Sequence, residues 1–192
     1  METQAHRDKS FKSIAFLETE ISNGEFENCS FENCDLSNRV IRSSKFVDCF
    51  FTACNLSMTK LDRCQLNTIG FKGCKVLGVN FGDCVDIPFA VTFEGCVLDY
   101  CSFARMKIPK TPFVGSSMKN VDFTESDLTK AVFSHVDLTK AVFYRTILKE
   151  ADFSTAENYS IDPEANTVRK AKFSVHGLAG LLDKYDITLV MT

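Results

Sequence analysis

The stretch FKSIAFLETEISNGEFENCSFENCDLSNRVIRSSKF, residues 11–46, places a large apolar side chain at every fifth position: Phe11, Phe16, Ile21, Phe26, Phe31, Leu36, Ile41 and Phe46. The beat continues without exception to Phe81, and after a slip it runs again from Phe93 to Phe153. Five residues match neither the 3.6 of a helix nor the 2 of a flat strand. A short fixed repeat instead signals a solenoid, in which no unit can bury its apolar side chain alone and stacking the units builds one continuous core. The expected inward-facing residues include Phe26, Phe31, Phe46, Phe51, Phe71, Phe81, Phe103, Phe123, Phe133, Phe143 and Phe153.

A second register supports the first. Small residues recur two positions before each large one, and all nine cysteines obey this rule, Cys29, Cys34, Cys49, Cys54, Cys64, Cys74 and Cys84 before the slip and Cys96 and Cys101 after it. Ala131, Ala141 and Ala151 take the same slot later. Large and small side chains thus alternate inside a narrow tube, as close packing requires. Cysteines twenty residues apart stack on successive coils about 4.8 Å apart, within disulfide range. Parallel side chains in a ladder have poor bridge geometry, however, and the count is odd. They are expected to be free, buried thiols acting as small hydrophobes, and no Cys/His spacing fits a zinc site.

The pattern resembles that of the pentapeptide-repeat proteins, whose unit is a small residue, a polar one, Leu or Phe, then two polar ones. Here it stands as Cys34-Asp35-Leu36, Ala131-Val132-Phe133 and Ala151-Asp152-Phe153, and the resemblance covers residues 11 to 153. It implies an all-β fold, a right-handed quadrilateral β-helix with four pentapeptides per coil. The expected organisation is a polar N-terminal tail at 1–10, a β-helix of about seven coils at 11–153 with a break near 82–92, and a C-terminal cap and dimerisation segment at 154–192. In the break, Phe81 and Phe93 are twelve residues apart, Asp86 falls in a core slot and Pro88 cannot donate a ladder hydrogen bond. A bulge or kink joining two stacked halves is expected there.

A solenoid needs a cap over its last hydrophobic cross-section. Ser174 is a candidate N-cap for a short helix with Val175, Leu178, Leu181, Leu182 and Tyr185 on one face. Gly177 and Gly180 each weaken such a helix by about 1 kcal/mol, and Ile187 to Val190 has strand character. The tail also resembles that of a subgroup, the Qnr quinolone-resistance proteins, the mycobacterial homologue MfpA and the albicidin and microcin immunity proteins, through Asn158-Tyr159-Ser160-Ile161-Asp162 and the Leu-rich segment beyond it. That likeness implies a homodimer through the C-terminal element, with Phe173, Leu178, Leu181, Leu182, Ile187 and Leu189 as dimerisation residues.

At 192 residues and 45% hydrophobic content the chain is long enough for one domain with a full core. No apolar run is long enough for a membrane span, and residues 1–10 do not read as a signal peptide, so a cytoplasmic location without membrane association is expected. No catalytic constellation, phosphate loop or cofactor motif can be assembled: His6 lies in the tail, His135 in an outward slot and His176 in the terminal helix. The protein is not expected to be an enzyme or to carry a cofactor or metal.

The subgroup resemblance implies a DNA-mimicking protein that binds DNA gyrase and possibly topoisomerase IV and shields it from quinolones or natural gyrase poisons, with no direct nucleic-acid binding of its own. An acidic rod is a sensible competitor for a phosphate-binding saddle. The net charge is only -3, but residues 150–164 carry Glu150, Asp152, Glu157, Asp162 and Glu164 with no basic residue, and residues 13–38 form a second acidic block. The C-terminal block, doubled around a dimer axis, is the expected partner-binding site. The alternative is a protein-interaction scaffold whose partner is not a topoisomerase.

Overall fold

The computed structural model describes residues 4–85, 89–185, 187, 188 and 190. The chain winds as a right-handed quadrilateral β-helix of about eight turns. One face is a nine-stranded parallel sheet running from Ser10–Lys12 through Phe50–Thr52 and Val91–Glu94 to Lys172–Phe173. Its rungs, spaced by about 4.8 Å, make a stack roughly 38 Å long. Because each coil returns to the same register, a residue type repeated at one position becomes a column. Phe11, Phe31, Phe51, Phe71, Phe93, Phe113, Phe133, Phe153 and Phe173 stack ring on ring behind this sheet, with successive centroids 4.5 to 5.6 Å apart. Phe81, Phe103, Phe123 and Phe143 form a second column, and Phe26 stacks on Phe46 in a third. The eleven phenylalanines expected to face inward are all buried.

The corners have their own rule. The residue two positions after most of the large ones adopts a left-handed conformation, as at Asn28, Asn33, Ala53, Lys130 and His135, with φ between 51° and 61°. That conformation costs about 1–2 kcal/mol for a non-glycine residue. Its amide is compensated by a bond to the next coil, Asn28 N donating to the Val47 carbonyl at 3.0 Å and Lys130 N to the Lys149 carbonyl at 2.8 Å.

The small slot is more than a space filler. Cys49 Sγ donates to the Phe26 carbonyl, Cys54 to Phe31, Cys64 to Ile41 and Cys74 to Phe51, at 3.3 to 3.4 Å. Ser44 makes the same bond to Ile21 at 2.6 Å, and Thr59 to Leu36 at 2.8 Å. Thiol and hydroxyl are therefore interchangeable in a slot that ties one coil to the previous one. All nine cysteines are buried, with no disulfide among them.

The solenoid extends beyond the expected limits at both ends. Gln4–Arg7, read as part of a polar tail, is a strand paired with Gly24–Glu27, and His6 occupies the inward slot of the first coil, stacked on Phe26 at 4.8 Å. At the other end, Lys172–Phe173 pairs with Asp152–Phe153, so coiling continues past Phe153. The beat positions Asn158 and Pro163 are not filled by large apolar residues; Tyr159 turns inward in place of Asn158, and Tyr159, Ile161 and Asn166 are buried.

The slip near 82–92 does not divide the rod. Phe71 pairs with Phe93 and their rings stack at 5.2 Å, so the two inserted residues are absorbed within a single coil and the ladder runs on unbroken. Phe81–Asp83 forms a short 3-10 turn at the start of the insertion. Asp86 and Pro88 lie outside the described residues.

The terminal helix is 3-10 rather than α: Val175–Leu181, followed by Asp183–Tyr185. Ser174 caps it, its hydroxyl accepting from Gly177 N at 3.1 Å. The two glycines are there for close approach. A Cβ at Gly177 would stand 2.0 Å from Tyr159 Oη, and one at Gly180 1.9 Å from the Tyr159 carbonyl oxygen.

Candidate interaction surfaces

The C-terminal end closes over the last coil through Ile161 N, which donates to the Gly180 carbonyl at 2.8 Å. Two of the residues expected in a dimer interface instead complete the core: Phe173 stacks on Phe153, and Leu181 packs against the same cluster. Leu182 is half-buried. Leu178 and Ile187 are exposed, 45% and 55%, and Leu189 lies outside the described residues. Val175, Tyr185 and Val190 are exposed beside them, at 81%, 51% and 78%. Ile187, Thr188 and Val190 take no strand conformation. A single chain therefore presents several large apolar side chains at this end, where a monomer gains nothing by exposing them.

The expected acidic site is differently arranged. Residues 150–164 travel round one coil, so their carboxylates ring the rod rather than share a face: Asp152 lies on the nine-stranded sheet and Glu157 on the next ladder, beside Asp137. Four of the five are also paired with cations from elsewhere in the chain. Glu150 meets Lys130 at 3.4 Å, Asp152 meets Lys172 at 3.0 Å, and Asp162 and Glu164 share Lys184 at 2.8 and 2.5 Å. Lys184 hydrogen-bonding holds the Asp162 and Glu164 carboxyls below the usual carboxylate range. The N-terminal block behaves alike, with Glu27 on Arg7 and Glu32 on Lys12 at 2.9 and 2.8 Å. Charge on a solenoid is read down columns, one coil apart, and a count along the sequence cannot see these partners.

Glu157 keeps no cation within ion-pair distance among the described residues. Its neighbour Asp137 is the most strongly perturbed carboxylate: burial works against its ionisation, yet the Thr139 hydroxyl (2.6 Å), the Asn158 amide (2.9 Å), Thr139 N and Lys119 hold it down at about 2. Beside the inserted loop lies a groove of about 440 Å³ lined by Phe50, Ile69, Phe89, Val91, Ile108 and Pro112. Among the described residues no group of three or more His, Cys, Asp or Glu side chains is placed to hold a metal ion, and no helix is long and apolar enough to cross a membrane.

No curated protein sequence matches the chain. Among solved structures it is similar to full-length QnrB1, a plasmid-mediated fluoroquinolone resistance protein, at 18% identity and a TM-score of 0.48, over 95% of this chain and 100% of that one. It is also similar to HetL, a pentapeptide repeat protein involved in heterocyst differentiation regulation from the cyanobacterium Nostoc sp. strain PCC 7120, at 13% identity and a TM-score of 0.32, over 88% of this chain and 84% of that one. Two family models match directly, a pentapeptide repeat region at residues 24–85 and pentapeptide repeats at residues 116–154. They fall on the coils whose inward Phe and Leu columns and inward small slots build the core, and together they cover more than half the chain, which belongs to the pentapeptide-repeat family.

Proposed function

We propose that this protein is a non-enzymatic, cytoplasmic rod that dimerises through its C-terminal end and binds DNA gyrase or topoisomerase IV, protecting the enzyme from quinolones or natural poisons. The observation that carries this reading is the apolar C-terminal end. The segment Asn158 to Asp162, on which the tail resemblance rests, seats Tyr159 and Ile161 inside and leaves Val175, Leu178, Tyr185, Ile187 and Val190 facing solvent. A second copy meeting that surface would double the rod to roughly 76 Å, taking about 4.8 Å per rung.

Deleting residues 174–192 tests the dimer. Sedimentation should change from dimer to monomer or aggregate, and co-elution with purified gyrase should be lost with it; a well-behaved dimer after deletion would move the interface elsewhere.

The pairing of Glu150, Asp152, Asp162 and Glu164 with lysines favours a second reading, an interaction scaffold with a non-topoisomerase partner, because it leaves little free negative charge in the expected contact site. Replacing Glu157 and Asp137 with Lys separates the two readings. Under the gyrase reading the charge reversal weakens co-elution, and under the scaffold reading it leaves a partner captured from lysate unchanged.

A further inference from the structure

Along most of the rod, charge is neutralised from coil to coil. Arg7 meets Glu27 at 2.9 Å, Lys72 meets Glu94 at 2.9 Å and Arg105 meets Glu125 at 3.0 Å, each pair one coil apart. One corner of the C-terminal half breaks this rule. Lys110, Lys130, Glu150 and Lys170 occupy equivalent left-handed corners of successive coils. Lys149 and Arg169 precede the last two, and the backbone bonds Lys130 N to Lys149 O and Glu150 N to Arg169 O tie the coils together. Lys107 stands on the adjoining face, bridged through its backbone to Asp127.

Lys107, Lys110, Lys130, Lys149, Arg169 and Lys170 are all exposed. Glu150 partners Lys130 and Lys149, and the Asp127 carboxylate accepts from the Thr129 amide and hydroxyl. Lys107, Lys110, Arg169 and Lys170 make no ion pair among the described residues. The strand register sets Lys110 over Lys130 and Lys149 over Arg169. Like charges on adjacent rungs are destabilising; where Asp137 meets Glu157, Lys119 offsets the pair, whereas Lys110 and Arg169 have no counter-charge among the described residues. Local conflicts without compensation inside the chain mark functional surfaces.

We propose that this edge binds the phosphate backbone of duplex DNA. The corner cations Lys110, Lys130 and Lys170 line up along the rod over three coil steps of about 4.8 Å each, with Lys107 on the adjoining face. Duplex DNA presents one negative charge per about 1.7 Å of axis, so four unpaired cations can each face a phosphate. An acidic protein would call for several apolar or aromatic anchors amid the charges; the neighbours here are the polar Thr129 and Thr167 with a single exposed apolar side chain, Ile147, on the same ladder. The inference stands apart from the topoisomerase reading, which concerns the C-terminal end, and it departs from the expectation of no direct nucleic-acid binding.

The test is fluorescence anisotropy of a labelled 20-base-pair duplex titrated with the full-length protein at several salt concentrations. About four phosphate contacts predict a slope of log affinity against log salt near -3.6, a loss of roughly a hundredfold between 50 and 200 mM. Lys110→Glu with Lys170→Glu should flatten the slope by about two and weaken binding at least tenfold, with the circular dichroism spectrum unchanged, since Glu125 and Glu150 already occupy such corners. Lys140→Glu, at an exposed corner on another side, should leave binding unaltered. No binding at 50 mM salt, equal damage from Lys140→Glu, or tighter binding to phosphatidylserine vesicles than to DNA would each overturn the proposal.

Discussion

The ring of Phe173 lies over that of Phe153 with centroids 5.3 Å apart and planes 5° apart. It is the ninth ring of an unbroken column, and only its inner side is covered by another Phe of that column. A large-to-small change costs the lost transfer energy plus a cavity term that depends on enclosure. Phe113→Ala, in mid-column and fully buried, should therefore cost about 3–5 kcal/mol. Phe173→Ala should cost about half as much, because the end of the stack can relax. Urea midpoints at constant slope check this, and equal losses at the two sites would refute the description of Phe173 as a terminal rung.

Gly180 should not tolerate a side chain. With a Cβ placed 1.9 Å from the Tyr159 carbonyl oxygen, Gly180→Ala must displace the terminal turn or break the bond from Ile161 N. Limited proteolysis should show cleavage after Phe173 appearing early in the variant, with repeat-region melting nearly unchanged. A variant as resistant as the parent protein would show that the turn is held by other contacts.

Much of this fold is legible in the sequence, for a physical reason. A five-residue beat puts one large side chain on each side of a square coil, so the inward columns from Phe11 to Phe153 follow directly. What escaped the reading lies where the side chain or the spacing departs from the beat. His6 fills a rung with an aromatic ring that is not Phe, and Asn158 and Pro163, standing where the beat calls for large apolar residues, hide the further repeats that end at Val168 and Phe173. The 3-10 turn replaces an α-helix because two glycines must pass close over Tyr159. The ion pairing of the acidic block is hidden for another reason: its partners Lys130, Lys172 and Lys184 sit one coil away in space, about twenty residues away in sequence. Ser44 and Thr59 stand in the slots that the cysteine spacing marks, so the interchange of thiol and hydroxyl is also written in the sequence.

The thiols should make the protein sensitive to alkali. Burial pushes Cys49 and Cys64 up to about 11 and Cys101 to about 12, whereas an unfolded thiol ionises near about 8.5. The stabilisation is complete below the unfolded value and is lost as pH rises through the folded values. Melting temperature should fall between about pH 8.5 and 11, and the Cys49, Cys64 and Cys101 thiols should resist alkylation in the native protein at pH 8 yet react in denaturant. Rapid native alkylation of Cys49 or Cys64 would contradict their enclosure. Cys49→Ser should be tolerated, since Ser44 makes the equivalent bond, and Cys49→Ala should cost about 1 kcal/mol more by leaving the Phe26 carbonyl without that donor.

The acid limb has the opposite sign. Asp137 is held at about 2 in the folded chain against about 3.9 unfolded. Its contribution is present above the unfolded value and lost as pH falls through the folded one. Acid titration of Asp137→Asn should show a shallower loss of stability between about pH 4 and 2 than the parent protein; identical acid limbs would remove Asp137 from the account.

Engagement of a type II topoisomerase is measured most directly by DNA supercoiling with purified gyrase titrated with this protein, with and without ciprofloxacin. Rescue from the drug at low protein concentration and inhibition of supercoiling at higher concentration are expected, both lost on deletion of residues 174–192. No effect on either reaction across the titration would contradict it.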